Sequence, residues 1–393
     1  GVLIGAVLLS STDLSRALFH SEQYSRHIEL AFIALAITTA VDPINMFFRL
    51  TKRAAVFVSL TGMNALVSAG LSVLFIIVLG HGLLGMFEAS ALSAAVYGLA
   101  VLLVGLKWVK PAFDIKYVWP LVKIGAPLIA PVVGWYVIEY VDRFLLERLV
   151  GLAEVGVYAV GFTFGSAILL LVNAFYGAWP GFFMPFVERR GEAALVFGRV
   201  LSYYVFGVGS ICLLLFLAAK PVVLMMTAEP FHEAYTVVGL IAFAGFLRGC
   251  YLIFLPGLVF AKSTRLQASI ELTAAALNVA LNLALIPLLH KEGAAIAAVA
   301  AFTWMCVMAW KYSSRELSVL YEWRRLGMFM ASLLSFAALS FFQLPGLGVT
   351  VCAHILYFLI FGVMNWYLVL TASERASLVQ LLLVQGRLVH VWR

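Results

Sequence analysis

Charge is what this sequence has least of: Asp, Glu, Lys and Arg make up 11% of its 393 residues, against about a quarter in a soluble globular chain. Apolar side chains fill the difference at 64%, with a mean hydropathy of +1.05. No soluble core needs that much apolar surface, so a soluble domain is excluded. Cysteine is scarce as well. Cys212, Cys250, Cys306 and Cys352 show no CxxC spacing, which excludes a disulfide framework and a zinc site and leaves them as packing residues. The 7 histidines form neither an HExxH nor a paired ligand spacing, so no metal is expected. GxSxG, Walker A and DxD are absent, and no outer loop is long enough to hold a catalytic domain. The chain is therefore expected to be no enzyme and to need no cofactor.

What the sequence does have is long apolar runs. A hydrocarbon layer about 30 Å thick takes roughly 20 apolar residues per helix. Runs of that order predict helices at 28–48, 54–79, 85–106, 124–146, 156–179, 200–219, 235–260, 266–289, 293–311, 326–343 and 349–370. The fold class expected is all-α, a polytopic membrane protein. Gly1–Ser10 (GVLIGAVLLS) is apolar but only half long enough to span, and reads as the end of a helix that begins upstream.

The formal charge of +7 would suit nucleic acid if it were clustered. It is instead distributed over alternate loops. Those at 49–53, 107–123, 188–199, 262–265, 311–325 and the tail after 373 hold 19 of the 26 lysines and arginines. Arg16, Arg26, Arg148, Lys220 and Lys291 fall in the intervening loops. This asymmetry puts the first set and the C-terminus in the cytoplasm and leaves nothing for a nucleic-acid partner to explain.

Two stretches about 209 residues apart read alike: a proline near a cytoplasmic helix end, a basic loop, a long helix, a Gly turn, then a helix of small residues. Pro43, Arg53 and Gly85 mark the first, and Pro256, Lys262 and Gly293 the second. An even number of crossings separates them, so the copies keep one orientation, as in transporters with parallel repeats. The organisation expected is a two-lobe transporter fold of six-helix repeats with an extra C-terminal helix pair. Its parts are an N-terminally incomplete lobe at 1–106, a linker at 107–123, a second lobe at 124–311, the extra pair at 312–370 and a cytoplasmic tail at 371–393. The linker, KWVKPAFDIKYVWPLVK, alternates lysines with Trp108, Tyr117 and Trp119, which suits the cytoplasmic membrane interface as well as a solvated loop.

Ionisable residues inside a span cost about 2.5 to 3.5 kcal/mol on insertion scales, so each needs a reason. Arg248 stands near the middle of its helix with no Asp or Glu within four residues. Either it binds an anion in a polar cavity or an acid on another helix pairs with it. The helix at 124–146 and its end carry Glu139, Asp142, Arg143 and Glu147. The i,i+4 spacing of Glu139, Arg143 and Glu147 allows an ion-pair ladder, or else Arg143 meets substrate while Asp142 or Glu139 serves gating or ion coupling. Pro127 and Pro131 favour a bend in that helix. Asp42, with Asn45 beside Pro43, is a further coupling candidate. Glu271, Asn278 and Asn282 are weaker cavity candidates, since polar residues of this kind commonly bind neighbouring helices.

The run VIEYVDRFLLERLVGLAEVGVYAVGF, with Asp142, Arg143, Gly151, Gly156 and Tyr158, resembles the start of the second lobe of Wzx-type polysaccharide flippases, within the multidrug/oligosaccharidyl-lipid/polysaccharide exporter superfamily. NVALNLALIPLLHKEGAAIAAVAAF resembles a later pattern of that family, and Pro180 and Pro185 fall where it tends to carry proline. The resemblance implies a central cationic cavity and alternating access in a bacterial inner membrane. It also implies an undecaprenyl-pyrophosphate-linked oligosaccharide as substrate, moved from the cytoplasmic to the outer leaflet. Arg143 and Arg248 are the substrate-binding candidates it leaves. With no nucleotide-binding motif in the chain, a proton or sodium gradient is the expected drive. A multidrug exporter of the same superfamily would favour carboxylates in its cavity, a membrane enzyme of polysaccharide assembly would need catalytic acids and a long outer loop, and a structural partner would not need a midplane Arg.

Overall fold

A computed structural model describes residues 10–376 apart from 20, 52, 109–113, 115, 117, 126–128, 343–345 and 373. Every element is helical among the described residues, as hydrocarbon requires of backbone that has no water to bond. The chain divides into two compact units, Gly1–Val118 and Trp119–Arg393. The stretch at 1–9, the tail beyond 376 and residues 109–113, 115 and 117 of the linker lie outside the described residues.

The first unit holds α1 (Ser11–Phe19), α2 (Ser25–Leu50), α3 (Ala54–Ser72) and α4 (Gly82–Gly105). Its core is Val41 and Phe48 of α2, Leu60 of α3, and Tyr97 and Val101 of α4. Helix α1 falls where the sequence predicts only an outer loop. It has too few apolar residues to register as a span, and polar bonds hold it. Ser11 donates to Glu29 at 2.8 Å, and Arg16 lies 2.6 Å from Glu22.

The second unit runs α5 (Val118–Gly125), α6 (Ile129–Leu149), α7 (Leu152–Gly165), α8 (Leu169–Phe183), α9 (Arg190–Met226), α10 (Tyr235–Phe254), α11 (Pro256–Phe260), α12 (Thr264–Glu316), α13 (Trp323–Leu339) and α14 (Leu347–Leu368). Its core is aromatic, with Trp179, Phe183, Phe197, Tyr204, Phe246 and Tyr251 packed together. Trp179 and Tyr204 donate to the carbonyls of Leu252 and Phe246 at 2.9 and 3.0 Å, so their polar atoms are met inside the core. Cys212, Cys250 and Cys306 are buried, Cys352 is exposed, and all four are free thiols.

Eight helices among the described residues are long and apolar enough to cross a membrane, three fewer than the runs predicted. The physical reasons are specific. Helix α6 carries Glu139, Asp142, Arg143, Glu147 and Arg148, α13 has 17 residues, and the runs at 266–289 and 293–311 are two helices with no break in helical hydrogen bonding between them, so that they share the label α12 and count once. The two halves of α12 are divided at His290, whose φ 47° and ψ −126° are non-helical, and the chain turns there. The bend is three residues before Gly293, where the sequence placed the turn. In the first unit the left-handed residues are Gly80 and Gly82, again ahead of Gly85. Gly85 and Gly293 serve close approach instead: a Cβ on either would meet backbone, Phe75 O at 2.9 Å and Leu285 O at 2.6 Å. The bend expected from Pro127 and Pro131 is not found at Pro131, which stands in the first turn of α6, where a missing N–H breaks no helical bond. Pro127 lies outside the described residues.

Within each unit the basic turn closes the same way. Arg53 N donates to Phe48 O at 2.9 Å, and Ser263 N to Leu258 O at 3.0 Å. Arg53 and Ser263 both precede their helices with φ −87° and ψ 52°. The backbone thus pairs Arg53 with Ser263, one residue on from Lys262.

At the bend of α12, Lys291 is buried among acids: its Nζ lies 3.1 Å from Glu154, 3.1 Å from Glu233 and 3.6 Å from Glu292. This ties the bend to the start of α7 and to the turn ahead of α10. Removing one partner of a buried pair costs 3 to 5 kcal/mol and of an exposed pair at most about 1. With Lys291 shielded and Glu233 exposed, Lys291→Ala should cost about 2 kcal/mol between those limits. Thermal unfolding in detergent should show a lower Tm for Lys291→Ala and recovery of most of it for Lys291→Arg. An unchanged Tm for the alanine variant would mean that the lysine does not hold the bend.

Candidate functional site

Four helix faces in the second unit line a cavity of about 640 Å³, a size usual for ligand pockets. Helical spacing puts the lining residues on single faces. They are Val132 and Trp135 of α6; Asn173, Tyr176, Trp179, Pro180 and Phe183 of α8; Arg248, Tyr251, Leu252 and Leu255 of α10 and its end; and Thr264, Gln267, Ala268 and Glu271 of α12. The wall is aromatic, with polar groups concentrated on α10 and α12.

Arg248 is the cavity's cation. Its Nη1 lies 3.3 Å from Glu139 Oε2 of α6, and the guanidinium stands over the Trp135 ring at 4.4 Å. Of the two alternatives left by the sequence, the pair with an acid on another helix is present, and Arg248 lines a cavity as well. Among the described residues its Nε and Nη2 make no hydrogen bond. Arg is suited to such a place, since its planar fork keeps its charge and fits phosphate oxygens.

The ladder along α6 does not form. Glu139 turns to Arg248, and Arg143 instead donates to the Glu139 carbonyl at 2.7 Å, lies 3.5 Å from Asp142 Oδ1 and stands over the Phe162 ring at 4.2 Å. Glu147 is exposed and in no ion pair among the described residues. Asp142 is buried, accepting from the Tyr158 hydroxyl and from the Arg143 N–H at 2.7 Å. A small pocket of about 40 Å³ is lined by Glu139, Asp142, Tyr158 and Arg248 together. Arg248 thus borders both the large cavity and the Asp142 pocket.

Glu271 is buried on the cavity wall, where Tyr251 donates to its Oε1 at 2.6 Å and Gln267 donates to the same oxygen at 3.1 Å. Asn278 and Asn282 follow on the same face of α12 but do not line the cavity. Asn282 donates to Asn278 Oδ1 at 3.0 Å, and Asn278 Nδ2 and Asn282 Oδ1 have no partner among the described residues. Asp42 is exposed on α2 in the first unit, three residues from the buried Asn45. Among the described residues no three of His, Cys, Asp and Glu are grouped as a metal set.

Sequence reasoning missed Trp135, Tyr251 and Gln267, and named Tyr158 only as part of the family pattern, without its bond to Asp142. Two had a signal: Tyr251 follows Arg248 by three residues and Gln267 precedes Glu271 by four, the spacings that share a helix face. A second cavity, about 880 Å³, lies among α9, α13 and α14, where Arg325 pairs with Glu322 at 2.6 Å and Glu374 at 2.5 Å.

An arginine and a carboxyl group thus share one aromatic cavity within a helical membrane fold. Residues 1–184 match the polysaccharide biosynthesis protein family. The chain also shares its fold with a solved structure, Lipid II flippase MurJ in an inward closed conformation, at a TM-score of 0.66 and 12% identity, covering 93% of this chain and 81% of that one. Among curated proteins no sequence matches. The chain is a multi-pass membrane protein with the family match over its first part and a flippase-like fold over nearly all of it.

Proposed function

We propose that this chain flips an undecaprenyl-pyrophosphate-linked oligosaccharide from the cytoplasmic to the outer leaflet for polysaccharide export. The membrane is the inner membrane of a bacterium, with the C-terminus in the cytoplasm. The observation that carries the reading is Arg248: a guanidinium on the wall of a ligand-sized cavity, with donors left over after its contact to Glu139. A pyrophosphate leaving water needs its charge met by protein, and an arginine fork meets it. The likeness to a lipid II flippase and the family match support the substrate class. Arg143, bound to its own helix, is the secondary cation of this scheme and holds Asp142 in place.

Movement is by alternating access in a two-lobe fold of six-helix repeats with the pair at 326–370 added. The drive is a proton or sodium gradient acting at Asp142, with Glu139 as the link to Arg248 and Asp42 as a further coupling candidate. Purified protein in proteoliposomes should move a fluorescently tagged undecaprenyl-pyrophosphate saccharide between leaflets, faster with an imposed gradient. The carboxyl groups of Glu271 and Glu139 at the two pockets also fit an organic cation, so a multidrug exporter is the second reading. Export of a lipophilic cation with no movement of the saccharide carrier would overturn the first reading in favour of the second.

A further inference from the structure

Arg248 accounts for one polar group of the cavity and leaves the other unexplained. Glu271 is 6% exposed, a costly place for a carboxyl group without a purpose. Both of its hydrogen bonds converge on Oε1, from Tyr251 at 2.6 Å and Gln267 at 3.1 Å. Its Oε2 makes no hydrogen bond among the described residues and yet is not among the buried unpartnered atoms. Since Glu271 lines the cavity, Oε2 is an acceptor offered to whatever fills it. The two donors on Oε1 fix the side chain, so that acceptor is held in one position before any ligand arrives.

The surroundings define what such an acceptor would take. Tyr251, which anchors Glu271, stands one turn along α10 from Arg248, so the acceptor and the cation belong to one wall. Tyr176 of α8 lines the same cavity with 58% of its surface free, and Trp179 on that helix is fixed by its bond to Leu252. An anion held at Arg248 with a hydrogen-bond donor and a flat apolar face beside it describes a glycosyl phosphate: hydroxyl or amide N–H groups for Glu271, and the C–H face of a pyranose for Tyr176. A bare polyprenyl pyrophosphate offers only the anion.

We propose that Glu271, positioned by Tyr251 and Gln267, forms a sugar subsite that accepts a hydrogen bond from the saccharide unit next to the pyrophosphate and so selects glycosylated carrier over bare carrier. This rests on the flippase reading above and deepens it. A hydrogen bond to a charged group in a site built for it is worth about a factor of ten or more in discrimination.

The test measures binding by the purified full chain in detergent to undecaprenyl pyrophosphate and to the same carrier bearing glucose or N-acetylglucosamine. Wild type should bind the better glycosylated carrier about tenfold more tightly than the bare one. Glu271→Ala should bring that ratio close to one. Glu271→Gln keeps the shape with one amide oxygen and should give a ratio between the two; it carries the test if the alanine variant fails to accumulate. Arg248→Ala should weaken both carriers and keep the ratio, which separates the sugar subsite from the phosphate site. A wild-type ratio near one, or a wild-type ratio retained by the Glu271 variants, would overturn the subsite and leave the flippase reading in place. Binding of neither carrier would overturn both.

Discussion

Arg248→Ala should abolish most flippase function, measured as complementation of a strain lacking its saccharide flippase with chain abundance followed alongside. The loss has two components that the structure separates. One is the cation itself, whose Nε and Nη2 are available to a pyrophosphate. The other is Glu139, which is left with an unpaired carboxyl group in a half-buried place once its partner is removed. Arg248→Lys keeps the charge but not the fork, so partial activity is expected. The double variant Arg248→Ala, Glu139→Gln resolves the two components, since it removes the stranded charge without restoring the cation. It should remain inactive. Full activity of the double variant would mean that Arg248 exists to neutralise Glu139, and the binding role would be lost. Arg143→Ala should have a smaller effect because that guanidinium is already engaged by the Glu139 carbonyl and Asp142.

The second large effect is expected at Asp142. This side chain is buried, bonded to Tyr158 and to the Arg143 N–H, and shares a small pocket with Glu139 and Arg248. A change of charge at Asp142 would alter the balance in which Glu139 holds Arg248, a direct route from ion to cavity. Asp142→Asn preserves size and an acceptor oxygen while removing the ionisable group. In proteoliposomes it should reduce net flipping about tenfold or more and eliminate the response to proton or sodium gradients, by analogy with the weight of other buried charge contacts. Tyr158→Phe should retain the response at reduced rate, since it removes one hydrogen bond and leaves the charge. Gradient-driven flipping by Asp142→Asn at the wild-type rate would exclude this residue from coupling.

The helical class was legible because hydropathy is a local property: each apolar run states its own length, and most described helices lie on the predicted runs. Boundaries were less legible where two runs continue one another. Helix α9 extends to 37 residues, beyond its apolar run on both sides and through Pro221, and the runs at 266–289 and 293–311 are told apart within α12 only by the non-helical His290. The candidate site was legible as residues and not as pairs. Arg248 and Glu139 are 109 positions apart and Tyr251 and Glu271 are 20, so no local pattern announces either contact. The ladder of Glu139, Arg143 and Glu147 was a local pattern, and tertiary contact overrode it: a cross-helix arginine took Glu139, and Arg143 turned back to its own backbone.

The closed turns at Arg53 and Ser263 have a consequence for how the chain is made. Only three residues separate α2 from α3, and three separate α11 from α12. At about 3.5 Å per residue such a link reaches roughly 10 Å, far short of a hydrocarbon layer about 30 Å thick. The end of the helix before each turn and the start of the helix after it must therefore lie on the same side of the bilayer, as one hairpin. Arg49 and Arg53 at one turn, and Lys262 and Arg265 at the other, should then act on the hairpin as a unit in setting its orientation. Substituting the basic residues of one turn should therefore move both of its helices together.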